Sequence, residues 1–179
     1  MASWMIHFRV ADTLLDRFPS LLCTEFVFGN IAPDSGVPGE GYTFTPPKSL
    51  SHFQKPHGDG YKISGYDLYA NEYLTPAKLA EYGPAELSFH LGYFSHLLTD
   101  CLWALNIALP TFERDREEYL RDKHAAVWKY KVDWYDLNFR YLRDHPDFRR
   151  LRFTATPKSS KMSSSISIPK TLLSFVANT

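Results

Sequence analysis

The chain lacks several features that would fix its class at once. It has only two cysteines, Cys23 and Cys101, in 179 residues. Two thiols make no disulfide framework, so a reducing, cytoplasmic setting is the expectation. No apolar run reaches the roughly 18 residues that a membrane-spanning helix needs. His7 and Arg9 interrupt the apolar N-terminal stretch, so no secretory signal is expected. Net charge is also missing, since 20 Lys+Arg stand against 20 Asp+Glu. A polybasic nucleic-acid binder needs a cationic surplus to track phosphates, and this composition excludes one. There is no internal repeat and no sustained period-two alternation of the kind a half-buried strand shows.

A content of 44% hydrophobic and 16% aromatic residues excludes wholesale disorder, and the length suits one domain with a real core. The neutrality is unevenly built. Residues 1–153 hold 17 Lys+Arg against all 20 acids, whereas residues 154–179 hold three lysines and no acid. Seven of those last 26 residues are serine, so 154–179 reads as a basic, poorly ordered tail with one short apolar stretch at Thr171–Val176. The body, 1–153, reads as a single domain.

Helical periodicity dominates that body. Ile6, Val10, Leu14 and Phe18 trace one face of a helix that Pro19 stops. Leu21–Ile31 suits a short helix, and residues 66–82 a short helix or pair of turns. Glu86–Leu109 is the strongest helical segment, entered after Gly83-Pro84 and closed by Pro110. Thr111 is placed to cap a following helix that runs from about Phe112 towards Arg143, with acids loading its first turns. Between about Pro33 and Gly65 lies a long irregular stretch rich in glycine and proline, a length that in compact domains is usually functional or disordered. The spacing therefore predicts an all-α fold, a bundle of four or five helices with one long loop.

Four features carry chemistry. His96 and Asp100 stand at i, i+4 on one helical face, so a ring nitrogen and a carboxylate oxygen can converge on one ion; Gly92, one turn earlier, leaves space beside His96. Asp34 follows a proline-stiffened turn, Gly29-Asn30-Ile31-Ala32-Pro33-Asp34. His52 sits in the long loop as Ser51-His52-Phe53. His7 lies to one side of the first apolar stripe. Each alone has an ordinary explanation: a hydrogen-bonded His–Asp pair, a capping aspartate, a surface histidine, a core histidine. Together they form a mixed nitrogen and oxygen donor set suited to zinc or another borderline divalent metal, and the absence of cysteine from it argues against a structural zinc finger.

At these residues the chain resembles the zinc-dependent phospholipase C family, all-α bacterial metalloenzymes that share a fold with the S1/P1-type nucleases. Phe89-His90-Leu91-Gly92-Tyr93-Phe94-Ser95-His96-Leu97-Leu98-Thr99-Asp100 looks like that family's F-x-L-G-x-x-x-H-x-x-x-D helix, and Ser51-His52-Phe53 looks like its S-H-F loop. The order Trp4, His7, Asp34, His52, His96, Asp100 follows the family over roughly residues 4–150, and is similar to short bacterial members. The resemblance implies that Asp34, His52, His96 and Asp100 hold one metal and that Asp100 bridges to a second metal bound by His7. In the family an N-terminal tryptophan completes the second site with its amine and carbonyl. Here Trp4 is internal, so its amine is an amide; water, the Trp4 carbonyl or another side chain takes that place. The family's third metal needs a histidine where this chain has Asn106, and the next long helix has His124 and Trp128 in place of the expected pair. Asp133 and Asp136 are further candidates for a carboxylate ligand, or else plain surface charge. One or two zinc ions are thus expected rather than three. No further helix completing the family's bundle is legible in 154–179.

The function expected from this set is a metal-dependent hydrolase of phosphoric esters, in which metal-activated water attacks phosphorus and Asp34 or Asp100 accepts its proton. The substrate class is a small-molecule or lipid phosphate ester. The alternative is a non-catalytic metal-binding or interaction protein in which an eroded site staples the fold.

Overall fold

The computed structural model describes residues 2–58 and 60–148; the tail at 154–179, with its Thr171–Val176 stretch, lies outside the described residues. Ser3 opens the first helix, α1 (Trp4–Arg17), by accepting the Ile6 N–H on its hydroxyl at 3.4 Å. Arg17 stands in its last turn, where the helix dipole favours a cation. Helix α2 (Cys23–Ile31) follows and runs into a single 3₁₀ turn, Ala32–Asp34.

The loop expected to be irregular contains small ordered pieces. Strands β1 (Val37–Pro38) and β2 (Phe44–Thr45) pair antiparallel, as do β3 (Lys55–His57) and β4 (Tyr61–Ile63). With two or three residues each, they are too short to show alternation in sequence. Between the two pairs sits α3 (Lys48–Ser51), with His52 at its C-cap. Phe53 then adopts φ +50°, a left-handed conformation unusual for a bulky residue. What holds it there is packing: its ring meets Tyr69 edge-on at 5.3 Å, and the neighbouring chain is clamped by Gly65 N–H to the His52 carbonyl (3.1 Å) and by the Tyr93 hydroxyl to the Ser51 carbonyl (2.6 Å). Phe53 thereby belongs to the core.

Helices α4 (Tyr66–Tyr73) and α5 (Pro76–Glu81) account for residues 66–82. Helix α6 (Pro84–Trp103) begins with proline in its first turn, where the missing N–H costs nothing. Pro110 does not end it. A π turn at Ala104–Ala108 widens the rod, and the chain continues as α7 (Leu109–Arg114) with Pro110 again in a first turn. Thr111 is consequently not a cap; its hydroxyl donates back to the Ile107 carbonyl at 2.7 Å. The breaks come later, at Asp115 and Asp122, which bound α8 (Arg116–Arg121) and start α9 (Lys123–Asp144). Asp122 is the cap, accepting the Ala125 N–H at 3.0 Å. Among the described residues, five helices have eight or more residues (α1, α2, α4, α6 and α9), and the others are single turns or little more. The architecture is all-α with two minor strand pairs. No helix among the described residues is long and apolar enough to cross a membrane.

The core lies between α1, α2, α4 and α6, around Phe26, Tyr69, Leu91, Phe94 and Leu97. Its closest contact is between α2 and α6. A Cβ on Gly29 would stand 2.0 Å from the Phe89 carbonyl oxygen, and one on Gly92 2.0 Å from that of Phe26. Gly92 therefore does not leave open space beside His96; the α2 backbone fills it. Beside this contact, α1, α6 and the π turn line a half-open apolar pocket of about 620 Å³, with Val10, Leu14, Phe18, Leu98 and Leu102 among its walls.

Gly92→Ala tests the contact. Helix propensity would return about 1 kcal/mol, but parting two backbones that must stay rigid costs roughly 3 kcal/mol. A net loss of about 2 kcal/mol in chemical denaturation is expected; a neutral or stabilised variant would refute the close approach.

Candidate metal centre

Five of the chemically distinctive residues meet in one place, carried by four parts of the chain. α1 brings His7, the turn after α2 brings Asp34, the end of α3 brings His52, and α6 brings His96 and Asp100. His7, His52 and His96 are fully buried and Asp100 nearly so. His52 Nε2 lies 3.4 Å from His96 Nε2, 3.4 Å from Asp34 Oδ1 and 3.5 Å from Asp100 Oδ2. His96 Nε2 is 3.6 Å from Asp100 Oδ2, and His7 Nε2 is 3.3 Å from Asp100 Oδ1. The His7 and His96 rings stack at 3.8 Å, 5° from parallel.

The α2–α6 contact sets the chemistry of His96. Its Nδ1 lies 2.7 Å from the Asn30 carbonyl oxygen, an acceptor only, so Nδ1 carries the hydrogen and Nε2 presents its lone pair. This is the arrangement by which an outer carbonyl orients a ligating imidazole. Ser51 Oγ stands 3.0 Å from His52 Nδ1 in the corresponding place. Asp34 is held by the Trp4 indole N–H on Oδ2 (3.1 Å) and by the Lys48 ammonium on Oδ1 (2.9 Å), and Asp100 Oδ1 accepts the Ala2 backbone N–H at 2.7 Å.

Several donor atoms are nevertheless left over. Among the described residues, both ring nitrogens of His7 and Asp100 Oδ2 are buried without a hydrogen-bond partner. Leaving such atoms unpaired costs about 1–3 kcal/mol each, so native structures rarely do it without a use. Two overlapping triplets, His7–His96–Asp100 and Asp34–His52–His96, each place their ligand atoms within 4.8 Å of one another. Ligands at the usual zinc distance of about 2.0–2.2 Å in a tetrahedral arrangement stand about 3.4 Å apart, which is the spacing seen here. The donor set fits zinc.

The protonation states also fit. Burial pushes the His7 imidazole below its ordinary value, and the neighbouring Asp100 carboxylate does not reverse this. For Asp34, burial favours the acid form, but His52, His96 and Lys48 overcome it and hold the carboxyl well below the usual range. Asp100 behaves likewise: burial opposes the charge, and the adjacent His7 and His96 win. Near neutral pH the centre offers a neutral His7 and two carboxylates, the forms a metal requires.

A family model described as zinc-dependent phospholipase C matches residues 6–166. The chain belongs to the zinc-dependent phospholipase C family. No curated protein and no solved structure matches it. Membership in this phospholipase C family, together with the buried His/Asp groups, supports zinc as the metal and a metal-dependent, phosphodiesterase-like role.

The remaining candidates lie elsewhere. Trp4 reaches the centre through its indole, which can only donate, so its side chain holds the Asp34 carboxylate rather than an ion. Asp133 and Asp136 are exposed on α9 and belong to neither triplet. Asn106, standing where the family's third-site histidine is expected, sits in the π turn and donates its amide to the Leu102 carbonyl at 2.8 Å. His124 is exposed on α9. Two contributors escaped the sequence reading. Asn30 acts through its backbone carbonyl, which no side-chain pattern announces; the glycines at 29 and 92 were the available signal. Lys48 precedes His52 by four residues across a turn that is visible only in three dimensions.

His7 gives the metal-free protein a defined pH response. The unfolded chain takes a proton on this imidazole near its ordinary value of about 6.5, whereas the buried ring resists it. Stability is therefore complete above that value and falls as pH drops through it; the two depressed carboxyls add their loss only below about 4. The melting temperature of chelator-treated protein should decline between pH 7.5 and 5.5. A rise over that interval would contradict the assignment.

Proposed function

We propose that the chain hydrolyses phosphoric esters with zinc held by His7, Asp34, His52, His96 and Asp100. The observation that carries this reading is the convergence of five ligand-type side chains, four of them buried, around His7 and Asp100 atoms that have no hydrogen-bond partner among the described residues. Asp34, His52, His96 and Asp100 would hold one ion, and His7 with Asp100 would hold a second. When bound, zinc supplies a hydroxide near neutral pH and stabilises charge on the phosphoryl group.

The chain's own residues do the rest. His96, fixed by the Asn30 carbonyl, and His52, clamped through its backbone, keep their Nε2 atoms pointed inward. Trp4 and Lys48 fix the Asp34 carboxylate from both oxygens. The two carboxylates, Asp34 with its side chain 8 % exposed and Asp100 at 1 %, would serve as ligands, and their depressed carboxyls make them weak acceptors for a water's proton. The substrate class is a small-molecule or lipid phosphodiester.

One observation favours a second reading, a metal-binding protein without turnover. Asn106 donates its amide within its own helix, and Asp133 and Asp136 are exposed, so among the described residues no ligand set stands where the family's third site is expected.

Turnover of bis-p-nitrophenyl phosphate by the zinc-loaded protein separates the two. Loss of an outer partner of a metal ligand already costs about 10–100-fold, so His96→Ala and Asp100→Asn should each lower kcat/KM by at least about 100-fold while helical content is kept. Zinc-bound wild-type protein with no turnover of phosphodiesters or phosphomonoesters would leave only the second reading.

A further inference from the structure

We infer that the outer face of α9 is an interaction surface for a second copy of this chain, the two α9 helices lying side by side and parallel. Trp128, Val132, Tyr135, Phe139 and Leu142 follow one another in steps of four, three, four and three residues, the spacing of a coiled-coil seam. Each is 38–70 % exposed. Helix α9 meets the body through another side, where Ala126 and Tyr130 are buried and Trp134 meets Trp103 edge-on at 5.3 Å. Single exposed apolar residues are ordinary, but a continuous stripe over two heptads marks a contact surface. Within the stripe, the Trp128 and Tyr135 rings meet edge-on at 6.5 Å.

Charge and length select the occupant. Helix α9 carries five Lys+Arg against three Asp, and the chain beyond Phe148 carries six Lys+Arg and no acid. Like charge therefore opposes docking of that tail on α9, and the tail has no carboxylate to offset it. Its one apolar stretch, Thr171–Val176, also offers too little: Leu172, Phe175 and Val176 are three residues at helical spacing, against five on α9. A second α9 matches the stripe in length and spacing, and it brings acids as well as bases.

The flanking residues fix the direction. With the seam as heptad positions a and d, Lys131 falls at g and Asp136 at e, the positions that choose partner and orientation. A parallel pair sets each seam residue against its own counterpart, five layers in all, and each Lys131 beside the partner's Asp136. Two opposite-charge contacts result, related by a two-fold axis along the helices. An antiparallel pair packs a against d and matches only four of the five seam residues. The other charges at e are already engaged within the chain, Lys129 with Glu118 at 2.8 Å and Arg143 with Asp144 at 3.1 Å.

The test is the oligomeric state of the purified full chain by analytical ultracentrifugation. Wild-type protein should form a concentration-dependent dimer. Phe139→Glu, at a position 70 % exposed in the single chain, should keep the helical content and weaken association at least about tenfold. Asp136→Lys should weaken it by about threefold or more, and Lys131→Asp added to the same chain should restore it. Direction is read by disulfide formation in a Cys23→Ser background, where Leu142→Cys should link two copies on mild oxidation because a parallel pair sets residue 142 against itself. A monomeric wild-type protein would overturn the inference, including one whose stripe is covered by its own tail. So would a dimer that Phe139→Glu leaves intact, a charge exchange that restores nothing, or a dimer in which Leu142→Cys forms no link.

Discussion

The close approach of α2 and α6 is the constraint on which the rest depends. Two glycines, Gly29 and Gly92, let each helix lay its backbone against a carbonyl of the other. Only at that separation does the Asn30 carbonyl reach His96 Nδ1. The contact therefore does two things. It seals the core beside Phe26 and Leu91, and it fixes which nitrogen of His96 faces Asp100 and His52. A side chain at either glycine would move the helices apart and release the imidazole, so packing and site chemistry share one cause.

Burying three histidines and an aspartate opposes stability, because each removes a polar or charged group from water. The fold compensates in part. Ala2 N–H, the Asn30 carbonyl and Ser51 each partner one atom of Asp100, His96 and His52. Asp100 Oδ2 and both ring nitrogens of His7 are left over. A cluster built only to hold the fold would be expected to pair those atoms with each other or to replace them with apolar side chains of similar size. Their persistence, aimed at a common space, is what distinguishes a binding centre from a buried polar core.

Much of this arrangement was legible before any coordinates. His96 and Asp100 announce themselves by helical spacing, and the order of His7, Asp34 and His52 around them carries the family likeness. What sequence could not reveal came from three kinds of physics. Backbone groups leave no side-chain pattern, which hid Asn30. A π turn reshapes the rod where Pro110 reads as a stop, and that same reshaping turned Thr111 from a cap into a side chain bonded within its own helix. Short-range charge is ambiguous, so Asp115 read as an acid loading a first turn although it ends α7, Asp122 drew no notice although it caps α9, and Asp133 and Asp136, open between ligand and surface charge, are exposed on α9. Trp4, a ligand candidate by its order in the chain, donates its indole N–H to Asp34.

The central claim is that this constellation is a zinc centre, and elemental analysis of the purified protein at known concentration addresses it most directly. The account predicts one or two zinc ions per chain that survive gel filtration and are lost wholly or in part from His52→Ala. Protein that retains no zinc after supplementation, or a His52→Ala variant with wild-type zinc content, would contradict it.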